Sequence, residues 1–174
     1  MDFFEAVAAR HSYRDTYTDA PVPREDLIKI VEAGAAAPSG KNAQTTKFVV
    51  IDDPALLAQI AQWVERPTSC ATAKAAIAVV SKPENVFLGR SFHVEDYSAA
   101  VENMLLAISA LGYASVWVQG YLLVDETAQK INKLLRIPEG ESIEVLLPVG
   151  VPAKKGHNPP KKPLEERMWF NRHE

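Results

Sequence analysis

Arg10, His11, Ser12 and Arg14 crowd into the six residues of Ala9–Arg14. A guanidinium offers a planar fork of N–H donors that matches phosphate oxygens, and a neighbouring serine adds a hydroxyl donor. Further polar clusters stand where structural elements should end: Ser39 with Asn42 and Gln44, Gln119 with Gly120, and Lys161 with Lys162. Other chemistry finds little support. The four histidines are scattered at 11, 93, 157 and 173 and Cys70 is the lone cysteine, so no pair has metal-ligand spacing and no metal site is expected. Ser39 lacks the flanks of a nucleophile elbow. Glu95 and Asp96 are adjacent, so on a helix they point apart, and Asp96 is expected to cap or favour a helix start. Cys70 is expected to be a small packed residue. No side chain is singled out as catalytic. Polar clusters without proton-transfer groups suit a polar cofactor that brings its own reactivity.

The totals narrow the class. A length of 174 residues fits one domain, 1–174, and 47% hydrophobic residues are enough for a packed core. The net charge of −3 argues against a nucleic-acid partner, which would need a basic face. No run approaches the roughly 18 apolar residues of a membrane span. A single cysteine allows no disulfide framework within the chain, which fits a reducing, cytoplasmic setting.

The elements that must position these clusters follow from periodicity. Helices are expected over 3–10, from about 23 to the breaker Ala37-Pro38-Ser39-Gly40, over 54–63, over 96–112 and over 125–135. The segment "DYSAAVENMLLAISALG" is apolar most of the way round, which marks a central helix, with Gly112 placed to end it. Strands are expected at 47–52, 75–81, 114–120 and 142–150. No glycine-rich phosphate turn follows any of them, so the class is α+β, with helices packed on a sheet, rather than a dinucleotide-binding fold. Phe87, Phe92 and His93 are candidates for a short lid or pocket wall, with core packing the expected role of the two phenylalanines. The proline- and lysine-rich tail 152–174 ends in Leu164, Met168, Trp169 and Phe170, which need something to lie on.

Taken in order, the motifs resemble the FMN-dependent nitroreductase family. "RHSYR" at 10–14 is similar to its N-terminal phosphate motif, and "APSGKNAQ" at 37–44 to its second signature. The segment 96–118 is similar to its central helix and following strand, and "LLPVGVP" and "KKPLEE" to its closing strand and C-terminal arm. The resemblance implies a nitroreductase-like α+β fold with a central, mostly antiparallel sheet flanked by helices, and a homodimer with exchanged terminal extensions, 152–174 packing on the partner subunit. It implies tightly bound FMN. Arg10, Ser12 and Lys161 (beside Lys162) would hold the phosphate, with His11 reaching it through its backbone or ring. Arg14 would lie near the flavin N1 and O2 edge, where a cation stabilises charge gained on reduction. Asn42 and Gln44 would bond the pyrimidine and ribityl groups. Pro38 and Ser39 would cover the ring system from the second subunit, and Gln119-Gly120 would offer backbone N–H near N5.

The activity so implied is ping-pong transfer from NADH or NADPH through flavin N5 to a small-molecule acceptor, a nitroaromatic, quinone or flavin. The alternatives are a flavin-binding carrier or sensor with little turnover, and a relative with other flavin chemistry, such as dehalogenation or heterocycle oxidation. Two departures stand out. Thr45-Thr46 follow Gln44 where members often have Pro-Trp, and the region 64–95 is short, which implies an open site.

Overall fold

A computed structural model describes residues 1–173, which form six helices and three strands. In chain order these are α1 (Phe3–Ala9), α2 (Arg24–Ala35), β1 (Lys47–Ile51), α3 (Pro54–Trp63), α4 (Ser69–Thr72), β2 (Ala75–Ser81), α5 (His93–Ala110), α6 (Thr127–Leu135) and β3 (Ser142–Val149). Single 3₁₀ turns lie at Gly40–Asn42, Gly120–Leu123 and Leu164–Glu166.

Local chemistry sets the ends of these elements. Asp2 and Glu5 cap α1 reciprocally, Glu5 N–H donating to Asp2 (2.8 Å) and Asp2 N–H to Glu5 (2.9 Å). Asp53 caps α3 ahead of Pro54, whose fixed φ suits a first turn. Helix α5 starts at His93, three residues before Asp96. It stops as expected, with Gly112 N–H donating to Ser109 C=O (3.1 Å) and Tyr113 N–H to Ile108 C=O (3.0 Å). This paired closure needs a left-handed residue, supplied by Gly112 at φ +87°.

The sheet is antiparallel with β2 in the middle, flanked by β1 and β3. Every residue of β2 is buried, because helices cover both faces. Ala75, Ile77 and Val79 pack with Leu27 and Ile30 of α2 and with Val101, Met104 and Ile108 of α5. Ala76 and Ala78 face the opposite layer, with Ile60 of α3 and Ile131 of α6. The fold is therefore α+β, with a central antiparallel sheet between helical layers.

One expected strand is broken. Among the described residues, 114–120 meet β3 at Val118–Leu146 and, one residue past its end, pair at Ala114–Gly150. Val118 and Leu146 exchange both backbone bonds (3.1 and 2.9 Å), and Ala114 N–H donates to Gly150 C=O (2.9 Å). Pro148 lies between these contacts. It has no N–H to give, and its carbonyl accepts the Tyr17 hydroxyl instead (3.1 Å).

Candidate functional site

Ser12 is positioned by a short parallel bridge to Ser115, in which Tyr13 N–H donates to Ser115 C=O (2.8 Å). Tyr13 is buried beneath it. Its hydroxyl donates to Thr16 C=O and accepts from the N–H groups of Ala153 (3.1 Å) and Lys154 (3.3 Å). Asn158 ties the other side down, donating to Ala8 C=O (3.2 Å) and Arg10 C=O (2.9 Å). Lys154 pairs with Asp15 at 2.9 Å, and this hydrogen bond holds the Asp15 carboxyl below its ordinary range.

The first half of the tail is therefore bound to the chain it belongs to. Residues 153–158 of the expected arm 152–174 are hydrogen-bonded to residues 8–16 of the same chain. The residues that find no cover on their own chain begin at Leu164.

This stapling encloses an open cavity of about 940 Å³ lined by Arg10, His11, Ser12, Arg14 and Lys161. Lys154 and Lys155 also line it, so five cationic side chains face one carboxylate, Asp15. In a chain of net charge −3, that is a local concentration of positive potential. Arg10 Nε lies 3.2 Å from the Glu102 carboxylate but is buried without an aligned hydrogen bond. The guanidinium is thus anchored by charge while keeping donors to give. Arg14 is exposed and donates to Ser12 C=O (3.3 Å).

The His11 Nδ1 N–H donates to Ala9 C=O (2.9 Å), and its Nε2 is buried against Gly156, where an added Cβ would collide with the ring. The ring packs against the tail loop at Gly156 while His11 still borders the cavity.

A second cavity of about 530 Å³ adjoins the first, since Arg14 and Thr68 line both. Its wall includes Trp117, Gln119 and Gly120. The Gln119 side chain is held at both ends, accepting from Trp117 Nε1–H (3.2 Å) and donating to the Tyr97 hydroxyl (3.2 Å). A continuous cleft therefore runs from Arg10 and Ser12, past Arg14, to the Gln119-Gly120 turn.

The remaining candidates lie elsewhere. Pro38, Ser39 and Gln44 border a separate cavity of about 130 Å³ that shares no residue with the cleft. Pro38, Asn42 and Gln44 are exposed. Lys162 is exposed and borders neither part of the cleft, in contrast to Lys161.

The 39–45 loop is held from below by α5. Asp96 is buried in the first turn of α5, where an acid favours the helix start, but it does not cap the helix: it accepts from Gly40 N–H (2.7 Å) and from the Thr45 hydroxyl (3.0 Å) and so ties a loop. Phe87 is 44% exposed, not a core residue, and its ring sits 4.9 Å from the Lys41 ammonium. Phe92 packs against Gly40, where a Cβ would meet its ring at 2.5 Å. Among the described residues, no three His, Cys, Asp or Glu side chains converge as metal ligands, and no helix is long and apolar enough to cross a membrane.

Comparison with known proteins shows which family the chain belongs to. The sequence model of the Nitroreductase family matches residues 7–151. The chain belongs to that family. A protein of Archaeoglobus fulgidus provisionally named NADH dehydrogenase/NAD(P)H nitroreductase is 34% identical over 146 residues, covering 84% of this chain and 83% of its own. An iodotyrosine deiodinase of Nematostella vectensis is 26% identical over 196 residues, covering 96% and 74%. Among solved nitroreductase structures, one from Desulfovibrio desulfuricans, provisionally so named, was solved in complex with FMN. It is 31% identical with a TM-score of 0.82, covering 99% of this chain and 98% of its own. A second, from Parabacteroides distasonis, is 27% identical with a TM-score of 0.84 and 98% coverage of both chains.

Lys154, Lys155, Asn158 and Thr68 line the nitroreductase cleft without having been singled out by spacing. The Lys154-Lys155 pair was visible as charge, but only the fold shows that it closes on Arg10–Asp15.

Proposed function

We propose that this nitroreductase is an FMN-dependent NAD(P)H:acceptor oxidoreductase that reduces a small molecule, a nitroaromatic, quinone or flavin, by a ping-pong cycle. The observation that carries this is the cleft with a cationic end at Arg10, Ser12 and Lys161 and an amide-lined end at Gln119-Gly120, bridged by Arg14. Its donor chemistry fits FMN, because a phosphate needs several converging N–H and O–H donors and an excess of positive charge, and both are present at one end.

In this reading Arg10, Ser12 and Lys161 hold the phosphate. Arg14 places a cation where negative charge grows on reduction and so favours the reduced state. The Trp117 and Tyr97 bonds fix the Gln119 side chain, which leaves the backbone of the turn to face the cleft. The bound flavin supplies the hydride-accepting and electron-donating chemistry, and no protein acid is required of the cleft. Pro38, Ser39, Asn42 and Gln44 complete the site from a second copy of the chain, a reading supported by the separate cavity that Pro38, Ser39 and Gln44 border, which shares no lining residue with the phosphate end.

The test is an absorption spectrum of the purified protein, followed by heat release and chromatography. FMN at about one per chain, bleached by NADH or NADPH without oxygen, supports the proposal. Bound flavin that neither nucleotide bleaches turns the reading to a carrier or sensor. A colourless protein that takes up no added FMN ends it.

A further inference from the structure

The loop 39–44 carries an unusual backbone. Lys41 (φ +54°), Asn42 (φ +54°) and Gln44 (φ +50°) all sit in the left-handed region without being glycine. Such residues are costly and persist only where the surroundings over-determine them, which is a property of sites where geometry matters. The surroundings here converge on one buried side chain. Asp96 is 5% exposed, and its two carboxylate oxygens are both spent on this loop, one on Gly40 N–H (2.7 Å) and one on the Thr45 hydroxyl (3.0 Å). The loop reinforces itself, with Gln44 N–H donating to the Ser39 hydroxyl (3.1 Å).

A buried carboxylate is expensive unless its bonds are satisfied, so one that serves only a loop is there to hold that loop in one shape. Thr45 is a residue at which this chain departs from the family's usual motif, and its hydroxyl is half of the clamp.

We propose that Asp96, with Thr45 as its partner, is a positioning residue for FMN binding: it locks the loop in the strained shape that presents Ser39, Asn42 and Gln44 to the cofactor. The inference rests on the FMN reading above and names what makes that loop competent. Asp96 acts through the loop, since both of its carboxylate oxygens are bonded to Gly40 and Thr45.

The full-length protein tests this with Asp96→Ala, Asp96→Asn and Thr45→Val, using two readouts. The first, in the absence of flavin, is the rate of limited trypsin cleavage after Lys41, inside the loop. The second is the FMN dissociation constant from quenching of flavin fluorescence. Asp96→Ala is expected to speed Lys41 cleavage and to weaken FMN by about tenfold or more, the scale of losing a buried charged hydrogen-bond partner. Asp96→Asn keeps an acceptor for Gly40 and a donor for Thr45, so it should restore most of both. It also stands in if the alanine variant does not fold, in which case Thr45→Val supplies the graded loss.

Unchanged cleavage and unchanged affinity in Asp96→Ala and Thr45→Val would overturn the proposal. Faster cleavage with wild-type FMN affinity would overturn it too, by showing a clamped loop that the cofactor does not need. If the wild-type protein binds no FMN, the oxidoreductase reading falls, and wild-type cleavage at Lys41 in Asp96→Ala would then remove the clamp as well.

Discussion

Arg10 is shielded at the end of α1, with Glu102 3.2 Å away, whereas Arg14 is exposed where the two parts of the cleft meet. The same charge at the two places should have separable effects. Arg10→Ala removes phosphate donors and is expected to raise the FMN dissociation constant about tenfold or more, with little change in potential. Arg14→Ala removes a cation that favours the reduced state more than the oxidised one. It should lower the two-electron potential by on the order of 30 mV, about a tenfold change in that equilibrium. A redox titration showing the wild-type potential in Arg14→Ala would remove its assigned role.

Cys70 is buried, and desolvation pushes its thiol up to about 12. Burial raises the hydroxyl of Tyr113 as well, also to about 12. The folded state therefore keeps protons that the unfolded state gives up. The stability tied to these groups is complete below the unfolded thiol's ordinary value and is lost as pH rises toward 12. Melting temperature should fall progressively above about pH 9. The thiol should resist a disulfide reagent at pH 8 until the chain unfolds; fast reaction in the folded protein would contradict this burial.

At the scale of elements, the cleft exists because the segment 153–158 is fastened to 8–16. Gly156 is the tightest point, since a Cβ there would collide with the His11 ring. Gly156→Ala should destabilise the fold by roughly 1–3 kcal/mol through this overpacking. It should weaken FMN as well, because Lys154, Lys155 and Lys161 move with the loop. Wild-type melting and wild-type FMN affinity in that variant would show that the loop gives way freely.

All the helices except the four-residue α4, and the strands of the sheet, were legible in the sequence because each has a strong local signal. Apolar spacing marked α5, Gly112 marked its end, and the unbroken run at 75–81 marked the central strand. What was not legible depended on long-range pairing. Pro148 interrupts the partner of 114–120 from some 30 positions further along, and a proline inside an apolar run reads locally as strand. The Asp96 bonds to Gly40 and Thr45 cross more than 50 residues, so the carboxylate read as a helix-start signal. His11 was a candidate ligand by its neighbours, and only the fold shows that its ring packs against Gly156. Arg10, Ser12, Arg14, Gln119 and Gly120 were singled out as polar clusters near expected element ends, and the fold brings them to the walls of two adjoining cavities.

At the scale of the whole molecule, one chain leaves much apolar surface without cover. Phe4 is 79% exposed and Phe170 82%, with Phe3, Leu164, Met168 and Trp169 also in water. Phe4 and Phe170 pack little on their own chain, and Trp169, 39% exposed, stacks on the nearby His173 at the chain end rather than in the core, so replacing them should cost little stability. Given the two-copy site proposed above, Trp169→Ala with Phe170→Ala is expected to leave melting nearly unchanged at low concentration while shifting sedimentation from the proposed dimer toward monomer. The cleft and the 39–44 loop sharpen this into a test of how two copies share a site. Arg10→Ala damages the phosphate end. Asn42→Gly removes the loop's side chain while allowing its left-handed backbone. Each substitution alone should reduce FMN retention. If the loop serves the partner's cleft, a mixed dimer carrying one substitution per chain has both defects in one site and neither in the other. Such dimers, co-expressed with two different tags and purified through both, should retain about one FMN per two chains. If the loop served its own chain's cleft, every site in the mixed dimer would keep one defect. Retention would then match that of the single variants, and the shared site would be disproved.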